Sequence, residues 1–161
     1  MAEPAVVNAS PLICLSRAGL TDLLRQASDT VIVPAAVARE VLARGPRDVT
    51  ADVLRNSPWL KQVDDAVIPA NVLAWDLGNG ESSVLAWAMA HPGACAIIDD
   101  LQGRRCAESL GIRLRGTVGL VLRARRAGLI ESAHAALDRL RSAGMYLSER
   151  ICAEVLKEVG E

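Results

Sequence analysis

The side chains in this chain best suited to chemistry are oxygen donors: Asn8, Glu40, Glu81, Asp99 and Asp100. Asp99 and Asp100 end the small, apolar run 94–98 and precede a stretch with helical character, 102–110. In open α/β sheets, ligands bind at the carboxyl ends of the parallel strands. Asp is also favoured at a helix N-terminus, so a cap explains one of the pair equally well. Glu81 stands three, four and seven residues before Val84, Leu85 and Ala88, which places it on the apolar stripe of its helix. The helix dipole favours a carboxylate in the first turn, but one that faces inward needs a partner. A metal ion or the backbone amides of the Gly78-Asn79-Gly80 loop would each serve. Glu40 follows Val37 by three residues, and an i,i+4 pair with Arg44 explains it as readily as a site does. Asn8 closes the β-prone run 5–7, where an Asn can also simply hold a turn.

The elements that must position these residues follow from the hydrophobic pattern. Strands are expected at 5–7, 30–33, 94–98 and 112–115, with a short one at 59–63. Ser10-Pro11 reads as a cap followed by the first helical position, opening a helical hairpin broken at Gly19. Helices follow at 35–44, at 47–56 with a cap near Asp48 or Thr50, and from about Glu81. Thr117 opens another to about Ala127, and two more cover 131–142 and 148–159. Residues 64–70 read as a turn-rich connection. Alternating strands and helices predict one α/β domain over 1–161, with a mostly parallel sheet of about five strands flanked by helices.

Composition narrows the function. The chain has 161 residues and a formal net charge of −1, so no global field marks a nucleic-acid binder. The charge is uneven, however. Residues 104–126 carry seven arginines and one acid, Glu108, leaving eleven basic and eighteen acidic residues elsewhere. An acidic half and a basic segment suit two sides of one groove, or simply solvated helix faces. Cys14, Cys95, Cys106 and Cys152 form no C-x-x-C pair and read as reduced, mostly buried thiols of a cytoplasmic protein. His91 and His134 have no partner at metal-ligand spacing. No apolar run reaches the ~18 residues needed to cross a membrane, and no secretory pattern opens the chain. Phe is absent and Tyr occurs once, which argues against a base-stacking sheet platform. The usual nucleotide-binding loops are missing. A receiver domain would need a lysine at a later strand end, where neither Lys61 nor Lys157 falls.

Taken in order, the runs VVNASPLI (6–13), VPAAVAREV (33–41), LGNGESSVLAWA (77–88) and IIDDLQGRRCAESLGI (97–112) resemble the PIN-domain (PilT N-terminal) ribonucleases. Within them the chain resembles the VapC-like toxins, and most closely a subgroup of short PIN-like proteins of unassigned function. GTVGLVLRARRAGLI (116–130) is similar as well, so the likeness spans nearly the whole chain, with C-terminal helices from about 131.

The resemblance implies a metal-dependent ribonuclease of toxin–antitoxin type. It implies catalytic residues Asn8, Glu40, Glu81 and Asp99, and metal ligands Glu40, Glu81, Asp99 and Asp100. Asp99 is the preferred direct ligand, with Asp100 capping the next helix or acting through water. Clustered carboxylates repel one another, and a hard cation such as Mg²⁺ or Mn²⁺ removes that penalty. Ser10, Arg104, Arg105 and Thr117 are implied on the RNA side, the arginines suiting phosphate. RNA is the implied substrate, a small antitoxin protein and a second copy the implied partners. The family typically has Asp where this chain has Asn8, an amide that ligates without charge. The alternative is therefore a catalytically impaired PIN-like binding module acting through RNA or protein partners.

Overall fold

The computed structural model describes residues 3–161, so Met1 and Ala2 of the expected domain lie outside the described residues. Among the described residues, five strands form one all-parallel sheet: β1 (Ala5–Val7), β2 (Val31–Pro34), β3 (Leu60–Val63), β4 (Cys95–Ile97) and β5 (Arg113–Arg115). Their spatial order is β3-β2-β1-β4-β5. The three inner strands are buried throughout, as continuous apolar runs covered on both faces should be. The edge strands β3 and β5 carry the charged and partly exposed positions.

Among the described residues, nine α-helices connect and flank these strands: α1 (Ala9–Arg17), α2 (Ala35–Leu42), α3 (Val49–Asn56), α4 (Ala70–Leu73), α5 (Asn79–Ala90), α6 (Leu101–Ser109), α7 (Thr117–Arg126), α8 (Ala133–Ser142) and α9 (Glu149–Glu158). The broken hairpin resolves into α1 and a 3-10 turn, Thr21–Gln26, around Gly19 at φ +68°. α1 begins earlier than Ser10-Pro11 suggests, with Asn8 at the N-cap. α4 interrupts the connection between β3 and α5, which the sequence reads as irregular.

No helix of the described residues is long and apolar enough to cross a membrane. All four cysteines are free thiols, three of them buried. His91 stacks on Trp87 with ring centroids 3.8 Å apart.

Strand order decides where a site can form. The chain leaves β1 for β2 on one side, and β4 then returns to the other side of β1. The sheet therefore reverses its winding between β1 and β4, where open α/β sheets form a crevice beyond the strand ends. Val7 pairs with Ile97, and the Asn8 amide donates to the Ile97 carbonyl at 3.0 Å. Asn8 and the Asp99-Asp100 pair thus emerge side by side at the reversal.

Candidate metal centre

Four elements bring oxygen donors to this crevice. Asn8 is only 4 % exposed and occupies the N-cap of α1, yet its side chain makes no capping hydrogen bond. Its Oδ1 lies 3.4 Å from where a Cβ on Gly80 would stand, and Glu40 Oε1 lies 2.5 Å from the same point. The missing side chain at Gly80 is what lets Glu40, from α2, reach over the start of α5. The arginines flanking Glu40 are held by other acids. Arg44 pairs with Asp48 at 3.4 Å and Arg39 with Asp65 at 3.1 Å. The expected Glu40–Arg44 pair is therefore not made.

Glu81 sits half-buried in the first turn of α5. Burial pushes its carboxyl above the usual range, and the charges of Asp100 and Glu40 push it further. Those two charges come from different elements, α2 and the start of α6, and both act on Glu81. A Cβ position at Gly103 lies 3.6 Å from Glu81 Oε2 and 3.9 Å from Asp100 Oδ2. The small residue at the start of α6 opens this side as Gly80 opens the other. Both acids lie near helix N-termini, whose partial positive charge offsets part of their repulsion.

Asp99 and Asp100 take different partners. Asp100 is the N-cap of α6, accepting from the Gly103 amide at 3.1 Å. Asp99 turns to α7 and accepts from the Thr117 amide at 2.8 Å and the Thr117 hydroxyl at 2.5 Å. Thr117 is wholly buried, so its hydroxyl serves Asp99 and faces no solvent. The structure thus brings Asn8, Glu40, Glu81 and Asp100 together and ties Asp99 to the next helix. Ser10 is exposed in the first turn of α1, and Arg105 is exposed on α6. Arg104 folds back to donate to the Ile98 carbonyl at 2.9 Å.

Three residues have positioning roles that sequence reasoning missed: it reads Asp48 only as a cap, Thr117 only as a helix start on the RNA side, and Asp65 not at all. Asp48 caps α3 through the Thr50 amide and holds both Arg17 of α1 and Arg44, two residues past the end of α2, which ties down the C-terminal end of the helix that carries Glu40. The Thr50 bond leads the effects that hold its carboxyl down at about 2. Asp65 accepts from the Ala36 amide at 3.0 Å and so caps α2 from a distant loop. Nothing local marks that role. Thr117 is the third, and its place at the start of a helix after a strand is the only signal it gives.

The donor set is hard oxygen, carboxylates plus one amide, which suits Mg²⁺ or Mn²⁺. Among the described residues, no three acid, His or Cys side chains are already drawn together tightly enough to hold an ion. Like charges facing one another across two glycines are expected to stand apart in this way.

The sequence profile of the PIN domain matches residues 4–161. The chain therefore belongs to the PIN domain family, a nuclease fold whose members generally use divalent metals. No curated protein matches it in sequence.

Proposed function

We propose that this chain hydrolyses RNA phosphodiesters at the crevice between β1 and β4, as a metal-dependent endoribonuclease of toxin–antitoxin type. The observation that carries the reading is the meeting of Asn8, Glu40, Glu81 and Asp100 from four separate elements, with the Glu81 carboxyl pushed up by burial and then by the charges of Asp100 and Glu40. Glu40, Glu81 and Asp100, with the Asn8 amide oxygen, would hold Mg²⁺ or Mn²⁺. Asp100 is preferred to Asp99 because both Asp99 oxygens are engaged by Thr117. When bound, such an ion supplies Lewis-acid polarisation of the phosphate and lowers the pKa of a water.

The chain's own residues supply the rest. Asp99 and Thr117 fix α7 against the end of β4, which sets the wall of the crevice. Arg104 and Arg105 present cations on α6, next to the acids, where a phosphate backbone would pass. RNA as substrate, a small antitoxin, a homodimer and a cytoplasmic setting belong to this proposal and rest on the family likeness.

A second reading is favoured by Asn8 itself. An amide in place of an acid removes one charge from the set, which suits a PIN-shaped binding module without catalysis. Incubating labelled RNA with the protein separates the two. The first reading expects cleavage with Mn²⁺ that stops with EDTA and in Glu81→Gln. Cleavage that survives both treatments, or never occurs, rejects it.

A further inference from the structure

A cavity of about 720 Å³ opens beside Asp99 and Asp100, within the range of roughly 300–1,000 Å³ typical of small-ligand sites. It is walled by the segment that follows β4, the end of β5, residues of α1 and α6, the start of α7, and the loop between α8 and α9 with the first turn of α9. Three features of its lining stand out. Tyr146, the chain's single tyrosine, is 89 % exposed on that loop and contributes nothing to the core. Met145 and Ile151 lie beside it, Ile151 also exposed. Arg104 and Arg115 line the same space.

The charge on those two arginines is available. Of the seven arginines in 104–126, Arg113, Arg125 and Arg126 are paired with Glu3, Glu161 and Glu158. No ion pair among the described residues engages Arg104 or Arg115. Asp99 is near Arg104 across Gly116, but its oxygens are bonded to Thr117. The cavity thus combines an exposed aromatic ring, an apolar floor and two cations, and on the side where it meets the acidic crevice it is lined by Asp99 and Asp100. A purely apolar partner would bury four charged groups, Arg104 and Arg115 with Asp99 and Asp100, without giving any of them a new partner. A bare phosphate would leave the ring and the apolar wall idle. A nucleotide uses both, because a base stacks on an aromatic face while the backbone meets arginine.

We infer that this cavity is a base-binding subsite for the RNA strand cleaved at the acidic crevice, with Tyr146 stacking on one nucleobase and Arg104 and Arg115 holding the adjoining phosphates. The inference rests on the RNA-hydrolysis reading. It also assigns the α8–α9 loop a function that the acidic residues do not require.

The test is binding of a labelled ten-nucleotide RNA, and of the same backbone with abasic riboses, measured by fluorescence anisotropy in EDTA at low salt. Wild type should bind the normal RNA, and Tyr146→Ala should bind it about 5- to 100-fold more weakly. Tyr146→Phe should bind like wild type, because stacking needs the ring and not the hydroxyl. Wild type should lose a similar factor on the abasic strand, and Tyr146→Ala should no longer distinguish the two strands. Tyr146 is exposed, so its removal leaves the core intact. Absence of binding by wild type, equal binding by Tyr146→Ala, or a variant that alters only self-association overturns the inference. Cleavage assays keep the two claims apart. Metal-dependent cleavage lost in Glu81→Gln but unchanged in Tyr146→Ala rejects the subsite and leaves the nuclease. Tyr146-dependent binding of bases without metal-dependent cleavage rejects the nuclease and leaves the subsite.

Discussion

Replacing Asn8 by Asp places a fourth negative charge in the crevice at a position that is 4 % exposed. Asn8 Oδ1 and Glu40 Oε1 lie 3.4 and 2.5 Å from one point above Gly80, so they are no more than about 6 Å apart. At that separation two unit charges repel by roughly 0.7 kcal/mol in water and about 3 kcal/mol at the effective dielectric near a protein surface. A domain of this size loses about 2–4 °C in Tm per kcal/mol, so Asn8→Asp should melt roughly 1–12 °C below wild type in EDTA. Excess Mn²⁺ should reverse the effect, because an ion held by these oxygens gains a charged ligand from the substitution. Thermal melts of both proteins, each in EDTA and in excess Mn²⁺, give the four numbers required. The reasoning fails if Asn8→Asp is destabilised equally in both conditions, since the oxygens would then share no cation. It fails equally if the variant is the more stable protein in EDTA, since the acids would then not repel one another.

Three further outcomes follow from the same geometry. Glu81 has its carboxyl raised above 4.5 by burial and by Asp100 and Glu40, so the folded state favours its protonated form. That contribution is fully present below about pH 4.5 and is lost as pH rises through the raised folded value. Glu81→Gln should therefore melt above wild type in EDTA near neutral pH, with the gap closing below about pH 4.5, as melts across that range will show. Gly80→Ala gains about 1 kcal/mol of helix propensity while forcing the mobile end of Glu40 aside, so calorimetry should show nearly unchanged stability with weaker Mn²⁺ binding. Thr117→Val keeps the shape of a buried side chain but removes a hydroxyl bonded to the Asp99 carboxylate. Urea unfolding should report a loss of about 1.5–3 kcal/mol.

Much of the fold is legible locally. β1 at Ala5–Val7 and β4 at Cys95–Ile97 are short runs of small and β-branched residues bounded by polar turns, and burial on both faces leaves little else for them to be. Asp48 before α3 and Ser148 before α9 are caps that act as their types suggest. Ser10 misleads because Asn8, two residues earlier, already starts α1 and Pro11 fits within the first turn. α4 escapes because a single turn, Ala70–Leu73, has too short a pattern to show a period.

The site is legible in its residue types but not in its pairings. That Glu40 escapes Arg44 depends on Asp48 capturing that arginine, a contact sequence spacing does not show. That Asp99 turns to α7 while Asp100 stays with α6 depends on Thr117, eighteen residues on in the chain. β4 ends at Ile97, so strand alternation no longer governs where either side chain goes. The cavity beside them is contributed in part by the α8–α9 loop, whose approach to the sheet is tertiary.

The central claim is that oxygens from four elements form one divalent-metal site, and isothermal titration with Mn²⁺ tests it most directly. Wild type should bind with a stoichiometry near one. Glu81→Gln and Asp100→Asn should each weaken binding by about tenfold or more, the equivalent of at least 1.4 kcal/mol. Asp99→Asn, whose carboxylate serves Thr117, should leave the affinity nearly unchanged. Wild-type binding that survives both Glu81→Gln and Asp100→Asn, or no binding by wild type at all, would contradict the account.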